Sequence, residues 1–126
     1  MTRKDRMKRR RERLIRRIQR LSSRHAVGCV ERHYVPYKGK RYGPYYVYRY
    51  YPHPYERKAI YLGKGEEARK VRQALREKHR QARRQAKKVY YNALVKTHFN
   101  YWQAGRIVQA WHRKRRKRGL ELLGLI

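Results

Sequence analysis

The chain has 126 residues, of which 38 are Lys or Arg and 8 are Asp or Glu, so its formal net charge is +30. Charges of one sign in such excess repel one another and destabilise a compact chain unless an anionic partner neutralises them. The composition excludes a membrane-spanning helix, because no stretch approaches the roughly 20 apolar residues that one needs, and the single cysteine, Cys29, excludes an internal disulfide and a multi-cysteine zinc site.

Nucleic acid is the anionic partner that this composition favours. Each phosphate that a basic side chain neutralises releases a condensed counterion, so affinity rises with the number of basic contacts. Arginine outnumbers lysine by 25 to 13, and arginine can fork onto phosphate oxygens or guanine edges and stack on bases. An anionic membrane would instead need a helix with a bulky apolar face. We expect no membrane association and a cytoplasmic location in a nucleoid or a ribonucleoprotein, since the first residues also lack the apolar segment of a signal peptide.

The first predicted element is a helix over residues 3–22. Leu14, Ile18 and Leu21 recur at helical spacing, with Ile15 beside them, and most of the other residues are arginines. The narrow apolar stripe predicts that the helix docks on something, and the broad basic face predicts phosphate contacts. The candidate contacts on this helix are Arg10, Arg13, Arg17 and Arg20.

The next region predicts a small three-stranded antiparallel sheet within residues 26–65. Strands are expected at about 26–35, 45–51 and 57–62, with turns at 36–44 and 52–54 that Gly and Pro punctuate. Thirteen tyrosines against one phenylalanine favour hydroxyls that meet solvent or phosphate. Packing in the core of a small sheet explains any single tyrosine equally well.

Alternation along the strands predicts which side chains face the core. We expect Val47 to join the aliphatic residues of the third strand, Ile60 and Leu62, on the core side, which would leave Tyr46, Tyr48 and Tyr50 on an outer face near Arg57 and Tyr61. The candidate nucleic-acid contacts of this region are Lys38, Lys40 and Arg41 at the hairpin, then Tyr46, Tyr48, Arg49 and Arg57.

A long helical pattern begins at Glu66, where two acidic residues suit a helix N-terminus. A single helix from 66 to about 117 would be roughly 75 Å long, so we expect a break near Asn100 or Gly105 and a helical hairpin, with one helix as the alternative. The basic run in residues 66–118 supplies six candidate phosphate contacts: Arg113, Lys114, Arg115, Arg116, Lys117 and Arg118.

The last segment, 119–126, is apolar. Gly119 is expected to end the helix. Residues 120–126 are then expected to dock on the protein or on a neighbouring molecule, because an exposed apolar patch in water is unfavourable.

Catalysis, cofactor binding and metal binding are not expected. Two-metal nuclease chemistry needs clustered carboxylates, and Asp5 is the only aspartate. His25, Cys29 and His33 are spaced by four, but on a strand residues four apart lie about 13 Å from each other.

Two short motifs carry a resemblance to known families. They are Gly43-Pro44-Tyr45-Tyr46 and Tyr61-Leu62-Gly63-Lys64. A Gly-Pro-Tyr-Tyr strand, a strand that ends in Tyr-Leu-Gly and a following helix resemble an uncharacterised prokaryotic domain family often seen near mobile elements. Many members carry cysteine pairs in the first strand; this chain has only Cys29, so a metal-binding role of those pairs does not carry over.

The plan of three strands followed by a helix also resembles the arm-type DNA-binding domains of phage integrases, in which the sheet enters the major groove. The resemblance covers about a third of the chain and implies a fold more directly than a function.

The sequence therefore predicts an α+β protein, with a small three-stranded antiparallel sheet flanked by a basic N-terminal helix (1–25) and a long C-terminal helix or helical hairpin. The favoured function is non-enzymatic DNA binding as an architectural or accessory factor. One alternative is an RNA-binding component of a ribosome or other ribonucleoprotein. Another is a nucleic-acid-packaging coat subunit, which would self-associate through the first helix and residues 120–126.

Overall fold

The computed structural model describes residues 1–126 without a gap. Its elements are α1 (Arg3–Arg20), β1 (Cys29–Tyr37), β2 (Lys40–His53), β3 (Glu56–Gly63), α2 (Glu66–Lys96) and α3 (Tyr101–Leu122). The strands form one antiparallel sheet in the order β1-β2-β3, so the predicted α+β class and the order of elements are confirmed. None of the helices has both the length and the apolar character that crossing a membrane requires.

Helix α1 begins with a capping box. The Thr2 side chain accepts a hydrogen bond from the backbone N–H of Asp5, and the Asp5 carboxylate accepts one from the backbone N–H of Thr2, which satisfies two N–H groups that the helix leaves free. The predicted stripe is confirmed, since Leu14, Ile15 and Ile18 are buried in the main core.

The hairpin between β1 and β2 is longer than predicted. The predicted turn at 36–44 is wrong, because the strands continue to Tyr37 and from Lys40 and only Lys38 and Gly39 form the turn. Both have positive φ, 48° and 74°, which matches the right-handed twist of the flanking strands. Pro36 is tolerated because β1 is an edge strand. The turn predicted at 52–54 likewise moves on to residues 54–55.

The predicted sheet faces are wrong for the tyrosines and for Val47. Tyr46, Tyr48 and Tyr50 are buried in the main core, whereas Val47 lies on the other face. The register explains this, since Tyr48 lies opposite Ile60 and therefore shares its face. Tyrosine rings thus fill the space between the sheet and the apolar faces of α1 and α2, where the aliphatic residues are too few.

A register shift lies next to Val47 in the pairing of β2 with β3. Tyr46 pairs with Gly63, and Val47 pairs with Tyr61, so Leu62 is an extra residue in β3. Ile60 and Leu62 do belong to the core side, as predicted; Leu62 is buried in the main core and the partly buried Ile60 packs against it.

The break between α2 and α3 lies where the sequence predicted it, next to Asn100. The Asn100 side chain accepts a hydrogen bond from the backbone N–H of Gln103 at 3.1 Å and caps α3, while Gly105 lies inside α3. A separate small cluster of Ala93, Leu94 and Ala104 packs the two helices together near this turn. Residues 66–118 therefore contain a helical hairpin, not one continuous helix.

Helix α3 does not stop at Gly119 but continues to Leu122. Gly119 is needed for close packing, because a Cβ there would lie 2.2 Å from the carbonyl oxygen of His25. Beyond it, Leu120 and Leu123 are buried in the main core, and Arg17 Nη1 donates a hydrogen bond of 3.1 Å to the Leu123 carbonyl. The apolar tail therefore docks on its own chain, which was the first of the two predicted options.

Gly119→Ala is expected to lower the free energy of unfolding by about 1–3 kcal/mol, because the backbone has to move to relieve the clash with His25. Gly105→Ala is the matched control in the same helix, where a Cβ meets nothing within 4 Å; it is expected to stabilise by roughly 0.5–1 kcal/mol. Chemical denaturation measures both. Equal stability of the two variants would contradict the packing described for α3.

Candidate nucleic-acid interface

The basic side chains are almost all without a carboxylate partner. Only six of the 38 Lys and Arg residues lie within 4.0 Å of a carboxylate oxygen. These six are Arg49, Arg57, Lys58, Arg69, Arg80 and Arg118. Two long segments, 32–55 and 78–120, contain no acidic residue at all. The positive charge is therefore available to an anionic partner over most of the surface.

The far end of the β1–β2 hairpin, residues 32–43, is exposed at every position and is called the β-arm below. Its turn carries the predicted contacts Lys38, Lys40 and Arg41, all exposed. Arg41 Cζ lies 4.4 Å from the ring centroid of Tyr34, so a guanidinium and an aromatic ring are held together on this arm.

Four side chains of the β-arm were not singled out from the sequence: Arg32, Tyr34, Tyr37 and Tyr42. The Tyr37 and Tyr42 rings have centroids 6.2 Å apart, and Lys38 Nζ lies 5.3 Å from the Tyr37 centroid. The arm is therefore a two-stranded ribbon in which basic and aromatic side chains lie against one another, with a width that suits a major groove.

On the open face of the sheet, the predicted contacts Arg49 and Arg57 converge on Glu31. Arg57 Nη2 donates to Glu31 Oε1 at 2.6 Å, and Arg49 Nε and His33 Nε2 both contact Glu31 Oε2. Desolvation favours the neutral acid, but the hydrogen bonds from Arg49 and His33 outweigh it and lower the pKa of Glu31. Two guanidinium groups on one carboxylate leave this face with a net positive charge.

Tyr46 and Tyr48 leave the candidate interface. Tyr48 is 0% exposed, and its hydroxyl donates a hydrogen bond of 2.6 Å to the carbonyl of Val27. Burial raises the pKa of the Tyr48 hydroxyl well above its ordinary value. Tyr48 holds the sheet against the segment before β1, and both side chains are buried and closed to a nucleic acid.

Tyr48→Phe is expected to lower the free energy of unfolding by about 1–3 kcal/mol, because it leaves the buried Val27 carbonyl without its donor. Binding to nucleic acid should not change. Tyr51→Phe, at an exposed position of the same strand, is the control and should stay within about 0.5 kcal/mol of the parent chain. A loss of nucleic-acid affinity in Tyr48→Phe at full stability would contradict the core assignment.

The four predicted arginines of α1 are exposed: Arg10, Arg13, Arg17 and Arg20. The six consecutive Lys and Arg residues of α3, 113–118, do not form one patch, because 3.6 residues make a helical turn and consecutive side chains point in different directions. Lys114, Arg115 and Arg118 line one cavity, while Arg113 and Arg116 line a second one. Lys117 is exposed as well.

No protein-family model matches this chain, and no match to it is found among curated proteins or solved structures. The resemblance to a mobile-element domain family and to integrase arm domains therefore stays a prediction from residues 28–64. Geometry and charge alone support a function.

No three His, Cys, Asp or Glu side chains of the chain lie close enough together to hold a metal ion. His79 on α2 is fixed by a 2.6 Å hydrogen bond between its Nε2 and the carbonyl of Gly28. Burial lowers the pKa of His79, as do the charges of Arg115 and Arg83, and together they outweigh the hydrogen bond to Gly28, which raises it. The ring holds the start of β1 against α2.

Sequence reasoning singled out only Lys114, Arg115 and Arg118 among the residues that line the first of these cavities. The lining also includes Arg24 before β1, Lys88 on α2 and Trp111 on α3. A local signal exists on each helix, since the lining residues recur at helical spacing: 85, 88 and 89 on α2, and 111, 114, 115 and 118 on α3. Only the packing of α2 on α3 brings these two faces together.

Proposed function

We propose that this chain is a non-enzymatic nucleic-acid-binding protein that acts on duplex DNA as an architectural or accessory factor. The β-arm carries this proposal. Its twelve successive exposed residues include four basic side chains and three tyrosines and no acid. A two-stranded ribbon of this kind fits a major groove about 12 Å wide, and arginine and tyrosine on it can reach base edges.

The helices supply the phosphate contacts in this proposal. Arg13 and Arg20 project from α1, and Lys117 from α3, without a carboxylate partner. Contacts of this type fix the position of a protein on the duplex and carry little sequence information. Such a protein would be found with the nucleoid.

The salt dependence of binding tests the electrostatic part. For six or more phosphate contacts, log K should fall against log salt with a slope of about −6 or steeper. Fluorescence anisotropy with a labelled duplex at a series of salt concentrations measures it. A slope near −2 would mean that very few of the Lys and Arg side chains contact phosphate, and the proposal would then be wrong.

RNA is the second candidate partner, and the turn between α2 and α3 favours it. Phe99, Tyr101 and Trp102 are exposed there, Trp102 to 69%, and Arg106 Cζ lies 5.0 Å from the Trp102 ring centroid. Unpaired bases of folded RNA stack on aromatic and guanidinium planes of this kind. A structural component of a ribosome or other ribonucleoprotein would use both the β-arm and this turn.

Competition between matched duplex DNA, duplex RNA and a folded RNA, at two salt concentrations, separates the candidates. Preference for duplex DNA supports groove binding by the β-arm. Preference for the folded RNA supports a role as a component of a ribonucleoprotein. Equal affinity for all three means that charge alone binds.

The third candidate, a packaging subunit, would need subunit contacts other than those expected from the sequence. That hypothesis assigned subunit contacts to the apolar stripe of α1 and to residues 120–126. Ile18, Leu120 and Leu123 are buried in the core of their own chain, so these groups are already occupied.

A further inference from the structure

The cavity between α2, α3 and the segment before β1 is the most distinctive site outside the β-arm, and it is called the basic cleft below. Its volume is about 680 Å³. Nine residues line it: Arg24, His25, Gln85, Lys88, Val89, Trp111, Lys114, Arg115 and Arg118. Five of them are Lys or Arg, and none is acidic.

Charge alone does not describe the basic cleft, since it also holds an aromatic ring. Arg115 Cζ lies 5.7 Å from the ring centroid of Trp111, and Arg115 Nη1 donates to the carbonyl of Ala26. This hydrogen bond fixes the guanidinium beside the indole. A planar aromatic ligand can stack on Trp111, while an anionic group attached to that ligand contacts the surrounding Lys and Arg side chains.

Polar atoms without a partner gather at the same place. Four buried side-chain polar atoms of the chain have no hydrogen-bond partner, and three belong to lining residues of the basic cleft: His25 Nδ1, Gln85 Oε1 and Arg115 Nε. Buried polar groups in folded proteins are rarely left unpaired. None of these atoms is open to solvent, so a ligand in the basic cleft can reach them only after the side chains that carry them move. The Arg115 donor and the Gln85 acceptor then suit a ligand that offers both kinds of group, as the edge of a nucleobase does.

The size of the basic cleft selects among nucleic-acid forms. A volume of about 680 Å³ lies in the range of sites that take one small ligand, roughly 300–1,000 Å³. A stacked base pair within a duplex cannot enter such a site. A nucleotide that is unpaired, at a strand end or out of the stack, can do so.

We propose that the basic cleft binds one unpaired nucleotide of the nucleic acid that the protein holds, with the base against Trp111 and its phosphate on Arg24, Lys88 and Lys114. This inference rests on the proposed function. It adds a preference for junctions and strand ends, since a duplex bound near an unpaired nucleotide can fill both the basic cleft and the phosphate contacts.

The first test compares a blunt DNA duplex with the same duplex carrying an unpaired tail, in full-length protein. The tailed duplex should bind more tightly by about 5- to 150-fold, the range that one base stacked on an aromatic side chain supplies. Trp111→Ala should remove this preference and leave blunt-duplex affinity unchanged. Trp102→Ala is the comparison, because Trp102 lies on the same helix but does not line the basic cleft; loss of the preference in that variant would instead assign the unpaired nucleotide to the exposed turn between α2 and α3.

The second test reads the stacking itself. The chain has two tryptophans, so Trp102→Phe leaves Trp111 as the only indole emitter. The tailed duplex should quench its fluorescence and the blunt duplex should not. Trp111→Phe, which keeps an aromatic face, should keep part of the tail preference even if Trp111→Ala proves unstable.

The outcomes separate this proposal from the proposed function. Tail preference that disappears in Trp111→Ala, stays in Trp102→Ala and is accompanied by quenching supports the basic cleft. No tail preference in the parent chain, or a preference that survives in Trp111→Ala, overturns the basic cleft while steep salt-dependent duplex binding still stands. Absence of binding to both duplexes overturns the proposed function as well.

Discussion

Neutralising the four basic side chains of the β-arm is expected to weaken duplex DNA binding by up to about 10³-fold at about 0.15 M salt. The variant carries Arg32→Gln, Lys38→Gln, Lys40→Gln and Arg41→Gln. Each phosphate that a Lys or Arg side chain neutralises contributes about −0.9 to the slope of log K against log salt. At that salt concentration this is a factor of about 5 in affinity. The slope itself should therefore become shallower by about 3 to 4.

The control for this variant removes the same charge elsewhere. Lys70, Arg76, Arg84 and Lys87 are exposed on α2 and have no carboxylate within 4.0 Å. Their replacement by Gln lowers the net charge equally but leaves the β-arm intact, so its effect on affinity should be clearly smaller. Equal losses in the two variants would mean that overall charge attracts the duplex and that the β-arm does not enter a groove.

The four substitutions should not affect the folding of the β-arm, so a loss of affinity can be assigned to the lost charges. All four substituted side chains are exposed, and the turn depends on Gly39 and on the backbone at residue 38, not on the lysine head group. The circular dichroism spectrum of the variant should match that of the parent chain, and its melting temperature should not fall, because removing four positive charges reduces the repulsion within the chain.

Local patterns in the sequence were sufficient to predict much of the fold. The apolar spacing of α1 predicted its buried face, since Leu14 and Ile18 lie one turn apart and meet the same neighbour. The length of the helical pattern predicted a break near Asn100 or Gly105, and the structure places it at Asn100, which caps α3. In both cases one segment contains all the information that the structure uses.

Features that depend on pairing between segments could not be predicted in this way. Lys38 adopts positive φ, a conformation that its residue type does not announce, so the two-residue turn was placed several residues too broadly. Tyr48 lies opposite Ile60, and this cross-strand register decides which face of β2 meets the core. Alternation along one strand cannot reveal that register.

The candidate site divides along the same line. The basic residues of the β-arm and of α1 could be identified from the sequence, because a hairpin turn and one face of a helix are exposed whatever the other segments of the chain do. The basic cleft joins Arg24, Lys88 and Trp111, which are far apart in the chain. Only the helical hairpin and the docked tail bring them together.

Bound duplex DNA is expected to raise the melting temperature of the protein by on the order of 10 °C when its concentration is about 100 times the dissociation constant, since this adds about 2.7 kcal/mol to the stability. The free chain holds 32 Lys and Arg side chains without a carboxylate within 4.0 Å, and these repel one another. Phosphates relieve that repulsion in the folded state.

Salt should therefore act with opposite signs on the free and the bound protein. Raising the salt concentration screens the repulsion between basic side chains, so the melting temperature of the free protein should rise. The same salt weakens phosphate contacts, so the additional increase caused by DNA should shrink. Differential scanning fluorimetry at three salt concentrations, with and without duplex, measures both trends. If the melting temperature of the free protein instead falls as salt is added, the ion pairs around Glu31 dominate its electrostatics. Repulsion among the Lys and Arg side chains without a carboxylate partner would then not be what limits the stability of this fold.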